Sequence, residues 1–144
     1  MGTYCRIKSR LNRVKKIKVL LDTSVLLQVY EGIDVLEKIE RALGTQCEFY
    51  VLDAVLDELI RLSQGVGRRG KAARLAISYM RNKVKLITFK GEQGKTDDII
   101  MEFMRRNKGE FVIATNDKKL RKDLKKMNVK IVTWWLGKYE YAQA

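Results

Sequence analysis

The chain has 144 residues, enough for one domain whose apolar core needs no disulfide or structural metal. Lys and Arg number 30 against 17 Asp and Glu, a formal net charge of +13, and that field favours an anionic partner, nucleic acid ahead of an anionic membrane. Histidine is absent, which excludes an imidazole base, a histidine metal ligand and a Ser-His-Asp triad and leaves carboxylates and bound cations to carry any chemistry. Cys5 and Cys47 are too few and too far apart for a disulfide framework or a zinc site, and point to a reducing cytoplasmic setting. The longest apolar runs, such as VLLDTSVLLQV, are interrupted by polar residues and too short to cross a bilayer, and the basic N-terminus has no signal-peptide apolar region. A soluble, cytoplasmic protein with no membrane partner is expected.

Residues 1–16 carry Arg6, Lys8, Arg10, Arg13, Lys15 and Lys16 without an acid and read as a basic arm able to touch a polyanion, with 17–144 as one domain. From Ile17, IKVLLD reads as a short buried strand with Asp22 at its C-terminal end. Helical spacing follows in SVLLQVYEG, then in IDVLEKIERALG, where Ile33, Leu36, Ile39, Ala42 and Leu43 recur at steps of three and four and Gly44 stops the helix. CEFYVL is a second strand, and DAVLDELIRLSQG an amphipathic helix with Val55, Leu59 and Leu62 on one face. After Gly65 and Gly67 come a basic helix, RRGKAARLAISYMRN, and a third strand, KVKLITF; between Leu59 and Gly91 there are nine Lys or Arg and no acid. TDDIIMEFMRRN is a helix, EFVIAT a strand, NDKKLRKDLKKMN a helix and VKIVTW a final strand. This alternation predicts an α/β fold with a doubly wound, largely parallel sheet covered by helices on both faces. No proline, linker or internal repeat marks a second domain.

In an open parallel sheet, functional groups collect beyond the carboxyl ends of the strands. Acids recur at such places: Asp22 in KVLLDTSVLL, Asp97 and Asp98 in GKTDDIIMEF, and Asp117 in FVIATNDKKLRKDL. Carboxylates gathered there repel one another unless a cation sits between them, which suggests a metal-dependent nuclease. Each acid also has a structural reading. Asp22 can cap the helix after it, although Thr23 and Ser24 can cap instead and hold Asp22 by hydrogen bonds. Asp117 reads as a first-turn acid behind a cap at Thr115 or Asn116. Thr96 reads as the cap for the helix opened by Asp97 and Asp98; adjacent helical acids point about 100° apart, and Asp97, beside the apolar face, is the better placed to meet Asp22, with Asp98 in reserve. Glu58 reads as a solvated helix residue, and Asp57 has Arg61 four residues on, so spacing alone does not promote Glu58.

The basic clusters are Arg68, Arg69, Lys71 and Arg74 after the Gly-rich turn and Lys118, Lys119, Arg121 and Lys122 beside Asp117; with the arm they are the expected nucleic-acid contacts. GVGRRGK lacks the spacing of a nucleotide phosphate loop. Trp134, Trp135, Tyr139 and Tyr141 read first as core or edge packing, with base stacking or a dimer surface as the other readings.

Four motifs in order then resemble those of the PIN-domain ribonucleases, a fold shared with the flap endonucleases. They are strand-D-T-S-x-L at Asp22, V-x-D-E-L from Val55 to Leu59, D-D-x-I at Asp97 and I-A-T-N-D-x-x-L-R from Ile113 to Arg121. TDDII and ATNDKKLRKDL look closer to the archaeal and eukaryotic branch related to ribosomal-RNA-processing endonucleases than to the short VapC-type toxins. Asp53 stands where many members have proline, and the cysteine-rich additions of the eukaryotic enzymes are absent. The resemblance implies a three-layer α/β/α fold around a mostly parallel five-stranded sheet. It implies an acid cluster of Asp22, Glu58, Asp97 and Asp117 binding Mg²⁺ or Mn²⁺, with Asp98 a further member and Thr115 and Asn116 in support; it is the resemblance that promotes Glu58. The implied activity is endoribonucleolytic hydrolysis leaving a 5′-phosphate and a 3′-hydroxyl, in ribosomal-RNA processing. The alternatives are a toxin silenced by an antitoxin-like protein and a non-catalytic RNA-binding or ribosome-assembly factor, and a homodimer is plausible for any of them.

Overall fold

The computed structural model describes residues 15–90 and 94–142; Cys5 and most of the basic arm lie outside them. Apolar runs form the central strands, which are largely buried, in a series of β1 (Ile17–Leu21), β2 (Cys47–Leu52), β3 (Lys85–Ile87), β4 (Phe111–Ala114) and β5 (Ile131–Trp135), followed by β6 (Lys138–Tyr141). The order across the sheet is β3-β2-β1-β4-β5-β6, parallel throughout except for β6, which returns antiparallel to β5. The expected five strands are therefore six. Leu136-Gly137 forms the extra turn, and Leu is not a residue that announces one. The third strand is also shorter than KVKLITF suggests, and its exposed Lys85 and Leu86 stand at the sheet edge; a brief, lysine-bearing edge discourages pairing with another chain.

The connections are α1 (Thr23–Leu26), running into a 3₁₀ segment Leu27–Glu31, then α2 (Val35–Leu43), α3 (Asp53–Ser63), α4 (Arg68–Met80), α5 (Thr96–Arg106) and α6 (Lys118–Lys125). The single helix expected over SVLLQVYEG is thus divided, and the tighter part holds Gln28 buried with its amide engaged. From β1 the chain winds outward through β2 to β3, then crosses back to β4 and β5. Right-handed crossovers run in opposite directions in the two halves and so place their helices on opposite faces. Between the layers Leu20, Leu21, Leu26, Ile39, Leu52, Leu59, Ile100, Met104, Ile113, Leu120 and Leu124 are fully buried, each stabilising by about 1.5–3 kcal/mol relative to exposure. No helix among the described residues is long and apolar enough to cross a membrane.

Two contacts set how the helices reach the carboxyl edge of the sheet. Asp53, at the position the family often gives to proline, accepts hydrogen bonds on Oδ1 from the amides of Ala54 (3.1 Å) and Phe89 (3.3 Å), tying the start of α3 to the segment after β3. Phe89 packs edge-on to Phe103 of α5, with ring centroids 5.2 Å apart. On the far end of α3, Gly70 lets α4 pass so close that an added Cβ would lie 2.2 Å from the Gly65 carbonyl oxygen. That clash is with backbone, which has little room to give. Gly70→Ala is expected to lower unfolding free energy by about 1–3 kcal/mol, an overpacking penalty, read as a lower urea midpoint; an unchanged midpoint would mean the two helices do not pack this closely.

Candidate active site

β1 and β4 are adjacent and parallel, and Leu21 is in register with Ala114. The next residues therefore leave the sheet side by side where the chain turns to opposite sides, the crevice in which open α/β sheets place ligands. The Asp22 amide donates to the Ala114 carbonyl at 3.0 Å. The Asp22 side chain is 5% exposed, and its Oδ2 accepts hydrogen bonds from Thr115 Oγ1 (2.7 Å) and Ser24 Oγ (2.8 Å). Burial raises its pKa; the two hydroxyls and the Thr23 backbone oppose that rise, and the Asp117 charge adds to it. Asp22 occupies the N-cap position of α1 but makes no side-chain cap bond. Of the two expected capping residues, Ser24 instead holds the Asp22 carboxylate, and Thr23 has a buried hydroxyl with no partner among the described residues.

Thr115 and Asn116 do not cap α6. The buried Thr115 hydroxyl lies between Asp22 and the Asp117 amide (3.1 Å), and the Asn116 amide donates to Ser24 Oγ at 2.9 Å. Asp117 itself is the N-cap, its Oδ1 accepting from the amides of Lys119 (2.9 Å) and Leu120 (3.1 Å). Both cap bonds use one oxygen, so the carboxylate has another to offer. Thr96 is likewise not a cap: it is the first residue of α5, after Lys95 at the N-cap position.

Asp97 is half-buried and its pKa is pushed up to about 6, first by burial and then by the charges of Asp117, Asp22, Glu58 and Asp98. Asp98 is the next residue of the same helix turn, but the other three charges come from three other segments, so the fold gathers the expected acids around Asp97. Glu58, Asp97 and Asp117 line an open cleft of about 690 Å³ together with Arg61, Gly94, Lys95 and Thr96. Asp98 is exposed and is not among the residues lining it. Among the described residues no ion pair joins Asp57 to Arg61. Arg61 and Lys95 are rim cations that the linear sequence did not single out; the signal for Arg61 was its place three residues beyond Glu58, on the same helix face. A cavity of about 720 Å³ between α2 and β6 has only Glu140 as a carboxylate. The Cys47 thiol is pushed up to about 11 by burial and by Glu40, which leaves it a poor nucleophile.

Among the described residues no three His, Cys, Asp or Glu side chains are drawn together tightly enough to chelate an ion by themselves. The donors are nevertheless all carboxylate oxygens, the set preferred by hard dications. Mg²⁺ in particular retains several waters and is commonly held by one or two carboxylates plus a substrate phosphate, not by a closed protein cage. The open cleft fits that mode.

The expected basic contacts have different fates. Arg68, Arg69, Lys71, Lys118, Lys119 and Lys122 are exposed, with the Arg68 guanidinium 5.8 Å from the Tyr30 ring centre. Arg74 donates through Nη1 to the carbonyls of Ser63 (2.6 Å) and Gly65 (3.2 Å), so it holds the C-terminal end of α3. Arg121 is half-buried, its Nε without a partner among the described residues.

Comparison with known proteins places the fold. A family model described as "PIN like domain" matches residues 19–135, a span that holds Asp22, Glu58, Asp97 and Asp117. Ribonuclease VapC4 of Methanocaldococcus jannaschii is 31% identical over 126 residues, covering 85% of this chain and 93% of that relative. Among solved structures, the PIN domain endonuclease Utp24 has a TM-score of 0.73 at 22% identity, covering 88% of this chain and 92% of that one. A domain of a functionally unknown M. jannaschii protein has a TM-score of 0.54 at 17% identity, covering 89% of this chain and 98% of that one. The structural matches speak for the fold, while the family model and the VapC4 relative cover most of the sequence: the chain belongs to the PIN-like domain family.

Proposed function

We propose that the protein is a metal-dependent endoribonuclease that hydrolyses RNA phosphodiester bonds in the acidic cleft. The observation that carries this reading is the convergence of Asp22, Glu58, Asp97 and Asp117, from four separate segments, in a chain of net charge +13. Such repulsion makes physical sense only where cations neutralise it, and it argues against a purely RNA-binding role. Bound Mg²⁺ or Mn²⁺ would supply positive charge for a phosphoryl oxygen and a lowered pKa for the attacking water. The protein's own part is positional. Ser24 and Thr115 fix the Asp22 carboxylate, the backbone of α6 fixes one oxygen of Asp117, and Asp97, crowded by the other acids, offers a carboxylate that positive charge would stabilise. Glu58, on the cleft wall, orients the water or takes its proton. Arg61 and Lys95 face the phosphates, with Arg68, Arg69, Lys71, Lys118 and Lys119 on exposed surface and the arm at residues 1–16 as a further contact to a 17–144 domain. Hydrolysis of this kind leaves a 5′-phosphate and a 3′-hydroxyl.

The TDDII and ATNDKKLRKDL segments support a ribosomal-RNA-processing role. A toxin-type ribonuclease restrained by an antitoxin-like protein is the second reading, and the VapC4 relative favours it.

Cleavage of labelled single-stranded RNA with Mg²⁺ or Mn²⁺ is expected to stop in EDTA and to fall by about a hundredfold or more in Asp22→Asn; Ser24→Ala, which loosens the carboxylate and frees the Asn116 amide, is expected to lose about 10- to 100-fold. Equal cutting by wild type and Asp22→Asn would remove this cleft from the chemistry. A second expectation concerns pH. The folded pKa of Asp97, about 6, exceeds the ordinary value of 3.8, so its stabilising contribution is complete below about pH 4 and is lost as pH rises through 6. In EDTA, Asp97→Asn should therefore melt higher than wild type near pH 7, with the gain shrinking as pH falls through 6. Saturating Mg²⁺ should favour wild type, because the cation binds its folded state. A melting difference that ignores both pH and metal would mean Asp97 does not feel the other acids.

A further inference from the structure

β5 and β6 are joined by only Leu136 and Gly137, with φ of 48° and 85°, the backbone that a two-residue hairpin of this hand requires. Asn, Asp or Gly normally fills the first such position, because a larger side chain is strained there. Here it is Leu136, 85% exposed, beside Trp135, 57% exposed. The chain accepts strain to hold two large apolar side chains in water, a pattern associated with contact surfaces. The hairpin's own packing does not need them: Trp134 and the buried Tyr139 supply it, their rings edge-on with centroids 4.9 Å apart.

The tip is also bonded to the acidic cleft. The Trp134 amide (2.9 Å) and Thr133 hydroxyl (3.3 Å) donate to Asn116 Oδ1, Asn116 Nδ2 donates to Gln28 Oε1 (2.8 Å), and the Tyr139 hydroxyl donates to the same Gln28 oxygen. Asn116 immediately precedes Asp117, so one loop carries both the acid and the anchor of the hairpin. Ala114 is in register with Val132, and Asp117 and Trp135 lie equally far beyond that pair. Both therefore emerge at the carboxyl edge of the sheet, from strands about 5 Å apart. Around the tip the charge is positive: Lys138 pairs with Trp135 across the hairpin and shares the cavity along β6 with Lys38, and Lys118 and Lys119 are exposed at the start of α6.

The geometry points to Trp135 and Leu136 as a stacking platform for an unpaired base of the RNA strand that crosses the acidic cleft, with Lys138 and Lys38 taking the flanking phosphates. This rests on the ribonuclease reading and deepens it, since it requires the substrate to be single-stranded beside the cut. Aromatic stacking tolerates any base, so the platform sets strandedness and not sequence.

Binding of fluorescein-labelled single-stranded RNA to the full-length Asp22→Asn protein, followed by anisotropy, separates this inference from the chemistry. Adding Trp135→Ala should weaken binding about tenfold, whereas Trp135→Phe should stay close to the parent. Leu136→Asn should raise the melting temperature, by relieving the turn, and still weaken binding, a combination that a merely structural role does not produce. Parent-like affinity in Trp135→Ala overturns the platform while leaving the nuclease reading intact. A shift from dimer to monomer in sedimentation with unchanged RNA affinity also overturns it and assigns the tip to a second copy of this chain. If Asp22→Asn and wild type neither bind nor cut RNA, the ribonuclease reading falls and the platform with it.

Discussion

A carboxylate buried at the end of the central strand is the constraint around which this structure is arranged. Burial disfavours the charged form of Asp22, and its neighbour Asp117 disfavours it further. Two hydroxyls offset that penalty, from Ser24 on the segment after β1 and Thr115 on the segment after β4. The same hydroxyls satisfy the amides of Asn116 and Asp117, so stabilising one charge also joins the two strand ends and aims the next acid. The residues that make Asp22 tolerable are thus the ones that hold the proposed site in shape.

Acidic and basic residues are partitioned by the fold. Acids converge at the strand ends, where Asp97 sits well above its ordinary pKa, while the acid-free stretch from Ile60 to Lys90 puts Arg68, Arg69 and Lys71 on exposed surface. A polyanion drawn in by the long-range field then meets local negative charge at the cleft. Under the proposed function that opposition is useful: cation and phosphate are each more welcome when the other is present. The arrangement is bought with stability, because a site built to receive positive charge is strained without it.

Much of the architecture is visible in the sequence because it follows from local periodicity. Buried parallel strands show as continuous apolar runs and the helices as apolar steps of three and four, and Asp22 and Asp117 stand just past such runs. The departures have particular causes. β6 was hidden behind Leu136, whose positive φ contradicts its side-chain preference. The helix after β1 is divided where Gln28 turns inward to partners 88 and 111 residues away, Asn116 and Tyr139. The cap of α6 falls to Asp117 because Thr115 and Asn116 are engaged across the sheet.

What the sequence alone determined is the order and type of most elements, the absence of imidazole chemistry, the positive field, and the acids that end strands or open helices; these depend on composition and on neighbours a few residues apart. What only the tertiary structure decided is which of those acids meet. Glu58 looks like a solvated helix residue until the Asp53–Phe89 bond, the Phe89–Phe103 contact and the close passage at Gly70 set the helices around α3 against the sheet edge. Arg74 reads as a polyanion contact, and only the fold shows that it also closes the end of α3. Both differences arise because the direction of a side chain in space depends on how whole helices pack, and packing is settled by contacts between residues far apart in the chain.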